Sequence, residues 1–260
     1  MINIHNININ YIEKNPDNFD INQEVVLFLH GWGASLDCFI PSVNLIKQKY
    51  RVFAIDLPGF GKSEEPKTSF NLDDYCDLII DFIKSFDIKN IILVGHSYGG
   101  RIVIKLNNRK QLPFNITRNI LIDAAGIKHK LSFKTNIKIK TFKFLKRISK
   151  IIPNEKLKKN IEDRLKKKFG SNDYANVSNV MRETMVKSIS EDLSQDIKNI
   201  DRETLIIWGE KDTATPLADA KYMEENIKNS GLVVLKNCGH FSFLEDQNTY
   251  LSVIKSYLNI

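Results

Sequence analysis

Cysteine is scarce in this 260-residue chain: there are three, Cys38, Cys76 and Cys238, widely spaced and without a Cys-x-x-Cys pair. That argues against a disulfide framework and against a zinc site, and for free thiols in a reducing compartment. No His, Asp or Glu cluster has the spacing of metal ligands, so no metal is expected. Long apolar runs are missing too; none reaches the ~18 residues that a membrane span needs. Residues 1–11 alternate Ile with Asn and His, and lack the basic start and apolar centre of a signal peptide. A cytoplasmic location is the expectation.

What is present is ordinary for a soluble globular protein: 42% hydrophobic and 27% charged residues. The length fits one large α/β domain with room for a small insertion. Charge is unevenly placed. Residues 128–168 hold 16 of the 38 Lys/Arg and 3 of the 31 Asp/Glu, a local net of +13. With an overall +7, the remainder of the chain is net −6. The basic stretch reads first as a solvated helical face, with weak contact to anionic surfaces as the alternative. Aromatics do not interleave regularly with its lysines, so no nucleic-acid partner is expected.

Continuous apolar runs mark buried strands. Val25–Leu29 ends in His30-Gly31-Trp32-Gly33, and Arg51–Asp56 runs into Leu57-Pro58-Gly59-Phe60-Gly61-Lys62-Ser63. The glycines of that second loop are two apart, which is not the spacing of a phosphate loop, and no nucleotide site is expected. Ile91–Val94 leads into Gly95-His96-Ser97-Tyr98-Gly99-Gly100 and then a helical pattern from Arg101. Further strands are expected at Asn119–Asp123, Thr204–Trp208 and Leu232–Leu235, and an amphipathic helix at Leu72–Phe86 with Asn71 as N-cap. The N-terminal Ile2–His5 and Ile7–Asn10 predict a short hairpin. Strands alternating with helices imply a mostly parallel, doubly wound sheet. From 127 to 197 the strand rhythm stops. Apolar residues fall at helical intervals, with Val177–Leu193 as the last helix. The expected organisation is therefore an α/β core of residues 1–126 and 198–260, with a basic helical cap of residues 127–197 inserted between.

The chemistry gathers at strand ends. A serine between a buried strand and a helix sits on a tight, strained turn that lifts its hydroxyl above the sheet. Gly95 and Gly99 flank Ser97 where only glycine tolerates the approach of strand and helix. Asp212 and His240 also follow strands, in the order Ser, Asp, His. His240 can take the Ser97 proton, and Asp212 can fix the imidazole tautomer. Asp123 also ends a strand and is the alternative acid; Asp212 has the further reading of a helix N-cap. The main-chain N–H groups of Trp32 and Tyr98 are candidate oxyanion donors, with Gly31 and Gly33 giving the loop its close approach. His30 and Asp56 read as structural, and His129 as a surface residue.

Taken together, His30-Gly31-Trp32-Gly33, Asp56–Ser63, Gly95–Gly100, Trp208-Gly209-Glu210-Lys211-Asp212 and Gly239-His240 resemble the signatures of the α/β-hydrolase superfamily over essentially the whole chain. The resemblance implies that fold with a helical cap, a Ser97–His240–Asp212 triad and no cofactor. Ser97 sets the chain apart from dehalogenases and epoxide hydrolases of the same fold, which use an Asp at the elbow. The expected activity is that of a carboxylesterase acting on a small-molecule ester or acyl substrate. The alternatives are C–C hydrolysis of a dienoate ring-cleavage product and non-catalytic ligand binding. C–C hydrolysis needs a cation for the substrate carboxylate, for which Arg101, Arg182 and Lys187 are the candidates, Arg101 being otherwise a surface or salt-bridged residue.

Overall fold

A computed structural model describes residues 1–17, 20, 23–129, 141 and 177–260. Most of the expected cap, including nearly all of the basic stretch 128–168, lies outside the described residues.

The frame is a seven-stranded sheet. Its strands in chain order are β3 (Tyr11–Lys14), β4 (Val25–Leu29), β5 (Arg51–Ile55), β6 (Asn90–His96), β7 (Asn115–Ile122), β8 (Glu203–Gly209) and β9 (Ser230–Leu235). Their spatial order is β3-β5-β4-β6-β7-β8-β9. Every pairing is parallel except β3 with β5. The hairpin β1 (Ile2–Ile4) and β2 (Ile7–Ile9) forms a separate antiparallel pair.

Strand alternation sorts side chains onto two faces. Val25, Leu27 and Leu29 join one core cluster with Ile91, Leu93 and Leu121. Val26 and Phe28 join the other with Ile92, Val94, Ile120 and Ile122. Each face is covered by helices, which is why the central strands read as unbroken apolar runs. α2 (Leu72–Lys84) and α3 (Tyr98–Asn107) cover the first face, while α1 (Ile40–Ile46) covers the second. α2 begins where expected, with Asn71 and Asp74 capping each other's main-chain N–H.

Between β7 and β8, α4 (Asn179–Ser190) falls within the helix expected over 177–193, and a short α5 (Ser194–Lys198) follows that had not been expected. The chain breaks at Glu191–Leu193 because the Asp192 carboxylate accepts from the N–H and hydroxyl of Ser194, starting a new helix. α6 (Leu217–Asn226) follows Pro216, its N-cap. Two helices close the chain, α7 (Ser242–Glu245) and α8 (Gln247–Leu258), separated by Asp246, whose carboxylate accepts from Thr249 N–H. Among the described residues no helix is long and apolar enough to cross a membrane.

β4 and β6 are neighbours, with Leu29 paired to Gly95. The chain leaves β4 toward β5 on one side and returns through β6 on the other. The carboxyl ends of these two strands are therefore the switch point of the sheet, the place where open α/β sheets bind ligands. The loop of His30–Gly33 and the turn of Ser97 both begin there.

Candidate active site

Ser97 occupies the turn between β6 and α3 with φ 49° and ψ −108°. A non-glycine residue in that region stores strain that the surroundings must hold in place. They do so through main-chain bonds: Ser97 N–H donates to Ile122 O, and Ser97 O accepts from Gly100 and Ala125. The flanking glycines are demanded by space. A Cβ on Gly95 would lie 2.6 Å from Gly99 O, and one on Gly99 would lie 2.0 Å from Leu29 O. Gly100 is under the same constraint, its Cβ meeting that of Ala124 at 2.4 Å.

Three strand ends converge on Ser97. His240 Nε2 lies 2.9 Å from Ser97 Oγ, and His240 Nδ1 lies 2.7 Å from Asp212 Oδ2. A carboxylate only accepts, so Nδ1 carries the proton and Nε2 is left to accept from the serine hydroxyl. The Asp212 side chain is fully buried in this arrangement. Its Oδ1 accepts from the N–H groups of Ala214 and Thr215. Its Oδ2 accepts from the Thr215 hydroxyl at 2.7 Å. Burial opposes the charge on Asp212, but the bonds from His240 and Thr215 outweigh it and hold the carboxyl below its ordinary range.

Asp123, the other candidate acid, has a different set of contacts. Its Oδ1 accepts from Gly209 N–H, and its Oδ2 accepts from the main-chain N–H and hydroxyl of Ser242. It therefore braces the loop before Asp212 against the loop after His240. Burial, with the nearby charge of Asp212 adding to it, raises its carboxyl to about 7, despite the bonds from Ser242 and Gly209.

Trp32 follows β4 and Tyr98 opens α3. Among the described residues no hydrogen bond takes up the main-chain N–H of either. For Tyr98 this is the normal state of a first helical residue. Gly33 has φ 75°, a conformation that a side chain disfavours, and a Cβ on Gly31 would lie 2.8 Å from His96 Nδ1 and 3.1 Å from Ser97 Cβ.

His30 and Asp56 hold the loops that follow β4 and β5. His30 Nδ1–H donates to Gly31 O and Nε2 accepts from Leu57 N–H; burial keeps its imidazole easier to deprotonate than usual. Asp56 accepts from Leu36 N–H, Asn10 Nδ2 and Lys62 N–H. The cations considered for a substrate carboxylate are engaged elsewhere. Arg101 is not on the surface but 4% exposed, and its Nη2 donates to Glu191 O. Lys187 Nζ donates to the main-chain and side-chain oxygens of Ser69, and Arg182 donates to Asn179. His129 is half-exposed and pairs with buried Asp219 at 2.9 Å.

Two residues of the site were not singled out in the sequence. Thr215 lies three residues after Asp212, and its reach back to that carboxylate is a local turn signal. His96 stands at an unspecified position of the Gly-x-Ser-x-Gly motif, so the pattern carries no hint of its contacts.

Comparison with known proteins bears on the family of the chain. A family profile described as alpha/beta hydrolase fold matches residues 24–247. The AB hydrolase superfamily protein YisY of Bacillus subtilis is 28% identical over 245 residues, covering 90% of this chain and 91% of that protein. A proline iminopeptidase of Saccharolobus solfataricus is 26% identical over 265 residues, 92% of this chain and 85% of its own length. Among solved structures, an esterase from Exiguobacterium antarcticum is similar with a TM-score of 0.73 and 25% identity, covering 100% of this chain and 98% of that one. The chain belongs to the alpha/beta hydrolase fold family.

Proposed function

We propose that the protein is a serine hydrolase that cleaves a carboxylic ester of a small molecule through an acyl-enzyme on Ser97. The observation that carries this reading is the continuous line from Asp212 through His240 to Ser97, at 2.7 and 2.9 Å. In the first step His240 Nε2 takes the hydroxyl proton as Ser97 Oγ attacks the carbonyl carbon. Asp212 stabilises the imidazolium that forms and keeps its proton on Nδ1. The carbonyl oxygen becomes an oxyanion between the N–H groups of Trp32 and Tyr98, each such donor contributing about 3 kcal/mol in the transition state. His240 returns the proton to the leaving alkoxide, and then activates water against the acyl-enzyme by the same route in reverse.

Ester is favoured over C–C cleavage because Arg101 and Lys187 are committed to protein oxygens. The thiols fit a reducing, cytoplasmic setting: burial pushes Cys38 up to about 12 and raises Cys76 as well, so neither supplies thiolate chemistry.

The test is initial hydrolysis of p-nitrophenyl esters from acetyl to palmitoyl, with Ser97→Ala alongside. Activity that depends on Ser97 and peaks at short acyl chains is the expected result. A peak at long chains would make the substrate a lipid ester. Absence of hydrolysis at every length would remove the ester reading.

A further inference from the structure

His96 ends β6 and directly precedes Ser97. Its ring is 1% exposed and lies among the rings of His240, Phe241 and Phe243, at 5.1, 5.0 and 4.9 Å between centroids. His96 Nε2 lies 2.8 Å from the main-chain oxygen of His240. A carbonyl only accepts, so Nε2 carries the proton and donates. Among the described residues it is the sole donor to that carbonyl. The other nitrogen, Nδ1, is then a bare lone pair, buried and without a hydrogen-bond partner. It faces Gly31, where a Cβ would stand 2.8 Å away. One imidazole thus touches the main chain of the base on one side and the loop of Trp32 on the other, with Ser97 next to it in sequence.

We infer that His96 is a positioning residue, whose Nε2–H bond to the His240 carbonyl and whose ring against Gly31 fix the base and the Trp32 loop on either side of Ser97. This rests on the reading of Ser97 and His240 given above. The donor matters as well as the bulk. An aromatic hydrocarbon of similar size would fill the space, but it would leave the His240 carbonyl buried and unpaired. That residue would then be free to shift by fractions of an ångström, and misplacement on that scale costs up to about a hundredfold in rate. Burial also holds the His96 imidazole near a pKa of about 3, so the donor keeps its form across the working pH range.

The experiment compares wild type, His96→Phe, His96→Gln and Ser97→Ala on a short p-nitrophenyl ester, with folding judged by circular dichroism. His96→Phe is expected to lose about 10- to 100-fold in kcat with KM within about twofold, a split that marks loss of transition-state positioning. His96→Gln, which keeps an N–H near the Nε2 position, is expected to recover part of that loss. Folded His96→Phe with wild-type kcat would overturn the inference. A second measurement holds even if His96→Phe does not fold. In wild-type protein labelled with ¹⁵N-histidine, His96 is expected to show the Nε2–H tautomer without titrating between pH 5 and 8. A proton on Nδ1, or titration in that range, would overturn it. If Ser97→Ala retains turnover, the functional reading fails; if Ser97→Ala is dead and His96→Phe is fully active, only the role of His96 fails.

Discussion

The Thr215 hydroxyl lies 2.7 Å from Asp212 Oδ2, the same carboxylate oxygen that His240 Nδ1 reaches at 2.7 Å. It is also 3.0 Å from Asp123 O and 3.2 Å from His240 Nδ1. One side chain therefore joins the two carboxyl-bearing strand ends to the imidazole.

Thr215→Val keeps the shape and removes the donor. The Asp212 carboxyl is expected to move up toward its ordinary range, since Thr215 is one of the bonds holding it low. Turnover is expected to fall by about tenfold, and stability by about 1–2 kcal/mol for a buried acceptor left short of a partner. The check is kcat against pH together with urea unfolding. A fully active variant would show that His240 and the main-chain N–H groups of Ala214 and Thr215 suffice to orient Asp212.

Asp123 makes a pH prediction. Its carboxyl stands at about 7 in the folded chain against an ordinary value of 3.8. The folded chain therefore keeps a proton that the unfolded chain releases between about pH 4 and 7. The stability this group contributes is fully present below pH 4 and is lost as pH rises through 7. Asp123→Asn removes that loss. Its stability relative to wild type is expected to improve by a few kcal/mol between pH 4.5 and 7.5. Parallel urea-unfolding curves for the two proteins across that range would contradict this account of Asp123.

Arg101→Met tests whether a buried guanidinium next to the elbow reads a substrate carboxylate. Because its Nη2 is spent on Glu191 O, the substitution is expected to cost about 1–3 kcal/mol of stability. The ratio of kcat/KM for p-nitrophenyl hemisuccinate and p-nitrophenyl butyrate is expected to stay within about twofold. A selective loss on the hemisuccinate would restore the carboxylate-binding role.

Much of this was readable from residues alone. The strands β4, β6 and β8 declare themselves as apolar runs because both faces of the sheet are covered, and the motif residues stand at their carboxyl ends. The glycines of the elbow follow from steric need, and the structure adds Gly100 to them for the same reason. What escaped did so for identifiable reasons. β3, Tyr11–Lys14, pairs antiparallel at the sheet edge and is only partly buried, so its sequence has no strong alternation. The short helix α5 was not expected; it starts just after Asp192, whose carboxylate accepts from Ser194 N–H, a local contact that apolar periodicity does not register. β7 starts at Asn115 and not at Asn119, because the added residues pair with β6 while staying polar; within it Asn119 is buried by bonds to Asn107 and Thr204. His96 and Thr215 act through contacts that depend on loops meeting in space.

The most direct test of the central claim is to mix the protein with a p-nitrophenyl ester, quench in acid within the first turnovers, and map the adduct by mass spectrometry. The account predicts one acyl group on the peptide that holds Ser97, absent in Ser97→Ala and formed far more slowly in His240→Ala. Hydrolysis that proceeds at the same rate in Ser97→Ala, with no acylated peptide, would contradict it.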